Sequence, residues 1–365
     1  MTRESRWPHA SRRTRRGPAL TRRGALRGMA GLLATGGLAA LAGCVDQHPD
    51  GDGSEEDLEK RAREGSLRLV ATSPATVEIC DRLELDLVGV SSSVRTPLPD
   101  RYADVEQVGT AMAPDLEILK KIDPDYVLSP NSLQSDLQPK YAGAHLRSIF
   151  LNLRSVEGMF LSLQQLGEKF FRHDQAQAQL DEYHAFMDSY NAEVEGKERP
   201  RCLVLMGLPG SYLVATEQSY AGNIVKLAGG DNVYAGETDQ FLNVNTEDMM
   251  SRDADVILRA AHALPDQVSE MFAKDFREND IWSHFTAVQQ GRVYDLPYEY
   301  VGMSADFSYQ DALEAVRPML FGDVAGTDGT VATTQGDGSG DEAAQKEVAD
   351  AVAGSGVAAG VAGGA

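Results

Sequence analysis

The strongest constraint on the fold is a weak internal repeat, found once in each half of the chain. P-D-L-E-I-L-K-K-I-D-P-D-Y-V-L-S spans residues 114–129, and N-T-E-D-M-M-S-R-D-A-D-V-I-L-R spans residues 245–259. In both segments a glutamate precedes an aspartate by eight residues, and an apolar strand begins directly after that aspartate. Each half is therefore predicted to be a strand–helix–strand unit, and its nearly continuous apolar strands are typical of parallel sheets covered on both faces.

A helical pattern links the two halves over residues 155–196. Apolar residues such as Met159, Leu163 and Leu166 recur at helical spacing, and the segment contains no proline. A helix of about forty residues would be about 60 Å long, so we expect a long rigid helix with a break near residues 172–174. The chain is thus predicted to be an α/β protein with two Rossmann-like lobes joined by a long backbone α-helix. Ligands of such sheets bind at the carboxyl ends of the strands, which would here face a cleft between the lobes.

Residues 1–43 are predicted to be an export signal and not part of the fold. The first thirty residues contain nine arginines and one glutamate, and a Gly/Ala-rich apolar stretch follows that is too short to span a bilayer permanently. T-R-R-G-A-L-R at 21–27 resembles a twin-arginine signal, although Ala25 stands where a large apolar residue is preferred; general secretory export is the alternative. L-A-G-C resembles a bacterial lipobox, so cleavage would leave Cys44 as a lipidated first residue; an ordinary cleavage site with an incidental cysteine is the alternative.

Composition gives the remaining boundaries and excludes one class of partner. We expect a lipidated polar tether over 44–65, an N-terminal lobe over 66–154, a C-terminal lobe over 197–321 and a disordered tail over 322–365. The signal removes nine arginines and one glutamate, which shifts the formal net charge from −21 to −29. So acidic a protein is not expected to bind nucleic acid or anionic lipid, which leaves the acyl anchor as its membrane contact.

Two side chains fall where ligand chemistry is expected. His262 follows an apolar run at the carboxyl end of a predicted strand. G-T-A-M-A-P-D-L-E at 109–117 is a Gly/Ala/Pro loop leading to a helix, and Met112 is the only large apolar side chain of its loop part. Taken alone, the histidine could be a cap, a hydrogen-bonding group or a metal ligand, and the methionine could be ordinary packing. A methionine and a histidine on opposite walls of a cleft have one well-known joint use, which is axial ligation of haem iron.

The residues alone are also compatible with other functions. A single cleft histidine is too few for a zinc or manganese receptor. A ferric-siderophore or corrinoid receptor would meet its cargo with groups such as Arg259 and Tyr212. An anchored enzyme needs acid–base groups in the cleft, but the chain has no G-x-S-x-G, phosphate-loop or H-E-x-x-H motif.

Four segments resemble the haem-receptor lipoproteins of Gram-positive Isd haem-uptake systems. They are M-G-L-P-G-S-Y-L-V-A-T-E at 206–217, I-L-R-A-A-H-A-L-P-D at 257–266, N-D-I-W-S-H-F at 279–285 and G-R-V-Y-D-L at 291–296. The resemblance extends over about residues 67–321 and implies a class III periplasmic-binding-protein-like fold. It also implies a non-enzymatic receptor that binds haem between two lobes on the extracytoplasmic face of the membrane. Such a receptor passes haem to an ABC permease and its ATPase for haem-iron uptake.

The resemblance also implies roles for individual residues. Met112 from the first lobe and His262 from the second match the axial ligands of the haem iron. Met303, in Y-V-G-M-S-A, matches a methionine of the family; it is expected to line the pocket and is the rival sulfur ligand. Where the family has a Tyr-Lys pair, this chain has Val94 and Arg95, so Arg95 is expected to pair with a haem propionate.

Two further pairs of residues complete the expected site. The backbone N–H groups around Thr72 and Ser73 lie at a predicted strand-to-helix turn and are expected to bind a propionate as a helix N-terminus binds an anion. Glu117 and Glu247 lie at matching points of the repeat and, by the resemblance, dock onto arginines of the permease. Alternatively, both are ordinary first-turn acids that the helix dipole favours.

Overall fold

The computed structural model describes residues 54–92, 97–262 and 264–322, together with Gly326 and the backbone of residues 45–47. The predicted signal, Cys44, Val94, Arg95 and nearly all of the predicted tail lie outside the described residues. Across the described ranges, no helix is both long enough and apolar enough to span a membrane.

The N-terminal lobe is built on a five-stranded sheet with the order β1-β5-β4-β2-β3. Its strands are β1 (Val45–Gln47), β2 (Leu69–Ala71), β3 (Leu87–Val90), β4 (Tyr126–Pro130) and β5 (Ser148–Leu151). The pairs of β2 with β3, β2 with β4 and β4 with β5 are parallel, and β1 adds an antiparallel edge to β5.

Helices cover both faces of this sheet, because its strands bury alternate residues on opposite sides. The helices are α1 (Glu55–Glu64), α2 (Pro74–Arg82), α3 (Leu116–Ile122) and α4 (Gln134–Gly143). Leu69 and Ala71 of β2 pack in one core cluster with residues of α1 and α2, while Val70 packs in another with residues of α3 and α4. The predicted doubly covered parallel sheet is therefore present in this lobe.

Residues 55–64 differ from the polar tether predicted over 44–65. Ser54 caps the N-terminus of α1 and Gly65, at φ 68°, ends it. Leu58 and Ala62 are buried in the core of the lobe, one helical turn apart, so a short apolar stripe docks an otherwise charged helix. Because the other residues of α1 are charged, the composition of the segment did not predict a buried helix.

The link between the lobes consists of two helices, α5 (Val156–Lys169) and α6 (His173–Val194). Phe171 breaks the helix with a φ of 54°, and the Arg172 guanidinium donates hydrogen bonds to the carbonyls of Phe170 and Phe171. Most of α5 is buried, and one core cluster runs from α2 through α5 into the C-terminal lobe. Helix α5 is therefore part of the core, whereas α6 buries only Ala176, Met187 and Tyr190.

The C-terminal lobe has a six-stranded sheet with the order β11-β10-β6-β7-β9, and β8 also pairs with β6. Its strands are β6 (Arg201–Leu208), β7 (Ser211–Ala215), β8 (Asp231–Asn232), β9 (Phe241–Leu242), β10 (Val256–Ala261) and β11 (Val293–Asp295). Its helices are α7 (Tyr220–Leu227), α8 (Thr246–Ser251), α9 (Pro265–Glu278), α10 (Thr286–Gln289) and α11 (Tyr309–Phe321).

One side of this second sheet differs from the all-parallel prediction. Strands β6, β8, β10 and β11 are parallel, but β7 turns back on β6 and pairs antiparallel, as does β9 on β7. The reversal occurs in a two-residue turn in which Gly210 has a φ of 83°, as expected for a tight hairpin.

Candidate functional site

His262 is the first residue after β10. Its backbone N–H donates to the carbonyl of Gly207 at 3.0 Å, which places it at the carboxyl end of two adjacent parallel strands. The imidazole is partly buried, and its Nδ1 atom is enclosed without a hydrogen-bond partner in the described part of the chain. Burial lowers the pKa of His262 below its ordinary value of 6.5, so the ring is neutral at pH 7, the state in which imidazole ligates metals.

The backbone after His262 is held in a strained conformation. Leu264 has a φ of 47°, in the left-handed region, and Pro265 begins α9 directly behind it. A left-handed leucine costs about 1–2 kcal/mol, and such strain concentrates at functional sites. This strain is not predictable from the residue type, because leucine does not favour the left-handed region.

Met112 lies in a loop that its own hydrogen bonds close. The backbone N–H of Asp115 donates to the Val108 carbonyl at 2.7 Å, and Gly109 pairs with Pro114 in an antiparallel bridge. Gly109 is required here: its φ is 93°, and a Cβ atom would lie 2.7 Å from the Ala113 carbonyl oxygen. The Met112 side chain is partly buried and belongs to none of the core clusters formed by the described residues.

Met303, the rival sulfur ligand, has a different environment. It packs against the main core cluster. Its segment is held at the junction of the lobes, where the Ala305 N–H donates to the Leu153 carbonyl of the N-terminal lobe at 2.8 Å. Met303 therefore has a packing role that Met112 lacks.

The backbone N–H groups of Thr72 and Ser73, which were expected to bind a propionate, donate hydrogen bonds to other partners. The Thr72 N–H donates to Leu128 in the sheet, and its hydroxyl lies 2.7 Å from that of Ser129. The Ser73 N–H donates to the Thr76 hydroxyl at 3.0 Å within a capping box that closes the N-terminus of α2. The sheet and the cap therefore use the N–H groups of Thr72 and Ser73 themselves, and the propionate contact at this turn stays a prediction.

Arg259 and Tyr212 are likewise committed inside the C-terminal lobe. The Arg259 guanidinium forms hydrogen bonds of 2.7 and 2.8 Å to Asp295, and its side chain is 1% exposed. The Tyr212 hydroxyl donates to Asp275 at 3.2 Å. These contacts stabilise the lobe and leave neither group free for an anionic cargo.

Glu117 and Glu247 occupy equivalent positions near the N-termini of α3 and α8. Both are exposed, and the side chains of Asp115 and Asn245 cap their helices. Glu117 pairs with Lys120 at 2.9 Å, whereas Glu247 has no ion pair within the described ranges. The structure therefore keeps both carboxylates at the surface and gives them different neighbours.

Two polar residues that the sequence did not single out also follow strands of the N-terminal lobe. Ser91 comes directly after β3 and Asn131 directly after β4, and each has a buried oxygen atom without a hydrogen-bond partner among the described residues. Their position after a parallel strand was the available signal.

His262 is not one of a cluster of metal-binding side chains. Within the described ranges, no three His, Cys, Asp or Glu residues are grouped so that they could hold a metal ion. A cavity of about 510 Å³ lies at the end of α6, where Glu195, Lys197 and Phe321 are among its lining residues, but neither Met112 nor His262 lines it. This cavity is an open hollow at the surface.

A family model for periplasmic binding proteins matches residues 69–300. The high-affinity heme uptake system protein IsdE of Staphylococcus aureus (strain bovine RF122 / ET3-1) is 38% identical over 266 residues, which cover 73% of this chain and 91% of that protein. These matches confirm the family resemblance that the four sequence segments indicated.

Two solved structures share the two-lobed α/β fold and confirm the predicted fold class. An ABC transporter substrate-binding protein from Listeria monocytogenes EGD-e is 44% identical with a TM-score of 0.67, and the match covers 70% of this chain and 98% of that one. Staphylococcus aureus IsdE complexed with heme is 36% identical with a TM-score of 0.64, covering 70% and 99%. The chain therefore belongs to the periplasmic binding protein family, in the branch that contains the IsdE proteins.

Proposed function

We propose that this chain is the substrate-binding protein of an ABC importer and that it binds haem between its lobes for haem-iron uptake. The observation that carries the proposal is His262, a neutral, partly buried imidazole at the carboxyl end of β10 whose Nδ1 atom has no hydrogen-bond partner among the described residues. The relative named for high-affinity heme uptake, at 38% identity, supports haem as the cargo.

The chemistry of haem suits a site with few protein ligands. Haem carries four equatorial nitrogens of its own, so the protein has only to supply axial ligands. One histidine is then sufficient, even though the described residues form no metal-binding cluster. Met112 is the proposed ligand from the N-terminal lobe, since it belongs to no core cluster of the described part. Both donors are neutral, and capture breaks no bond, so no catalytic residue is needed.

Release and membrane attachment belong to the same proposal. Glu117 and Glu247 are proposed to dock onto the permease, whose ATPase drives transport, and a shift of the lobes would then loosen the axial bonds. Cys44 is proposed to carry the lipid that holds the protein on the extracytoplasmic face after twin-arginine export, and Arg95 to pair with a propionate.

A ferric siderophore or a corrinoid is the second candidate cargo. Its support is weaker, because Asp295 and Asp275 engage the two groups best suited to an anionic siderophore, Arg259 and Tyr212. A corrinoid, whose cobalt also accepts an axial imidazole, is the closer alternative.

Equilibrium titration separates these cargoes. The purified haem-free protein is titrated with haemin, ferrioxamine, cobalamin and Zn²⁺ under one set of conditions. We expect saturable binding of one haemin per chain and at least 100-fold weaker binding of the other three. Tighter binding of ferrioxamine or cobalamin than of haemin would overturn the proposal.

A further inference from the structure

Three buried side-chain atoms of the described structure have no hydrogen-bond partner: Ser91 Oγ, Asn131 Oδ1 and His262 Nδ1. Each belongs to the first residue after a parallel strand, namely β3, β4 and β10. An unpaired buried polar atom costs about 1–3 kcal/mol. Because ligands of open α/β sheets bind at the carboxyl ends of the strands, a common explanation is that all three meet the cargo.

We infer that Ser91 and Asn131 form a polar subsite of the N-terminal lobe that receives the two carboxylates of the haem cargo. This rests on the proposed function and deepens it. The subsite is additional to the pairing expected of Arg95, and the proposal assigns it to residues that neither the motifs nor the family resemblance singled out.

Ser91 is placed to contact a ligand bound beside Met112. The residue is fully buried, yet its hydroxyl makes no hydrogen bond in the described part of the chain. The next residue, Ser92, donates its N–H to the Gly109 carbonyl at 2.8 Å, at the base of the Met112 loop. A hydroxyl can donate to a carboxylate, and such charge-assisted bonds are stronger than neutral ones.

Asn131 offers an acceptor whose orientation its neighbours fix. Its Nδ2 donates to Asn152 Oδ1 at 3.2 Å, and the Arg154 N–H donates to the same oxygen at 3.3 Å. The amide oxygen of Asn131 is therefore the atom left without a partner in the described part of the chain. It can meet a carboxylate through a bridging water that donates to both oxygens.

The spacing of the two groups favours a ligand with two carboxylates. Strand β2 lies between β3 and β4 and pairs with both. Neighbouring strands are about 4.8 Å apart, and the register puts Asn131 two residues beyond the level of Ser91, so the two residues are anchored roughly 12 Å apart. One carboxylate does not span that distance, but an edge that carries two of them does.

The test compares haemin with its dimethyl ester, which lacks both carboxylates, in the full chain and in Ser91→Ala. Ser129→Ala is the matched control, because Ser129 is equally buried but its hydroxyl lies near those of Thr72, at 2.7 Å, and Tyr141, at 3.2 Å. We expect Ser91→Ala to bind haemin roughly tenfold more weakly and to bind the ester as the wild type does. Its haem-free form should melt no lower than the wild type, since an unpaired buried hydroxyl has been removed.

The control should give the opposite pattern, with a lower melting temperature and equal changes for haemin and ester. Asn131→Leu should also discriminate between haemin and ester. Equal affinity of wild type and Ser91→Ala for haemin would overturn this inference and leave the proposed function intact. Failure of the wild type to bind either porphyrin would instead contradict the proposed function itself.

Discussion

Asp125 and Asp255 hold the same place in the two lobes. Each carboxylate accepts a hydrogen bond from the backbone N–H of an arginine, Arg68 at 2.6 Å and Arg201 at 2.8 Å. In return, the N–H of each aspartate donates to the carbonyl of that arginine, at 2.8 Å in both lobes. This reciprocal pair fixes where β4 and β10 begin. It therefore sets the level at which each strand ends and hence the position of His262.

The two lobes use this aspartate differently, and their stability should reflect it. Asp125 also accepts two 2.6 Å hydrogen bonds from Arg61 of α1. Asp125→Ala leaves a partly buried guanidinium unpaired and should lower the free energy of unfolding by about 3 kcal/mol. Asp255→Ala should lower it by about 1 kcal/mol. Urea titrations of the haem-free variants measure both values, and equal losses would contradict the role given to Arg61.

Protonation of His262 should destabilise the haem-free fold in acid. Burial lowers the pKa of His262 below 6.5, so the unfolded chain binds more protons than the folded protein once the pH falls below 6.5. The free energy of unfolding should therefore fall as the pH drops from 6.5 towards the folded-state pKa of His262. Above pH 6.5 this residue should make no contribution to the pH dependence. Thermal melts from pH 7.5 to pH 5 should show a shallower acid decline in His262→Gln than in the wild type. Parallel curves would argue against the buried imidazole.

A second titrating group lies at the junction of the lobes. Burial, and then the charge of Asp306, raise the pKa of Glu78 above 4.5, and Arg82 only partly opposes this. Above its folded-state pKa, Glu78 is ionised and lowers the stability of the folded protein. This loss of stability disappears as the pH falls through the folded-state pKa and the carboxylate is protonated. Glu78→Gln retains an acceptor for the Phe307 N–H, so it should melt slightly higher than the wild type at pH 7.5. The difference should vanish near pH 4; a variant less stable at pH 7.5 would refute this account.

Charge reversal tests the docking role of the paired glutamates. The double variant Glu117→Arg/Glu247→Arg should bind haem normally, since both side chains are exposed. It should deliver haem to the permease at least tenfold more slowly, because two opposite charges would become like charges against permease arginines. Glu237→Arg, at another exposed glutamate, is the control. Normal haem uptake by the double variant would exclude this docking surface.

The sequence predicted strands β4 and β10 better than it predicted their surroundings. The apolar runs after Asp125 and Asp255 correctly placed β4 and β10, because a strand buried on both faces contains few polar residues. The antiparallel turn into β7 was not predicted, because the continuous burial of β6 carries no information about the direction of the strand beside it.

The differences between the sequence-based predictions and the structure have physical causes. Ser73 and Thr76 form a capping box that uses the Ser73 N–H, and the S-x-x-T spacing in the sequence is its signal. In α1, two apolar residues among ten were too few to signal a docked helix. The unpaired atoms of Ser91 and Asn131 depend on contacts between distant segments, so no local pattern predicts them.

The most direct test of the central claim is the visible absorption spectrum of the haemin-loaded protein and its two ligand variants. The claim is that Met112 and His262 hold one haem iron from opposite lobes. Wild type should show a low-spin, six-coordinate spectrum; His262→Ala should lose it, and Met112→Ala should change its axial ligation, while Met303→Ala should leave it unaltered. An unchanged low-spin spectrum in His262→Ala, or a Met303→Ala variant that behaves as Met112→Ala is expected to, would contradict the claim.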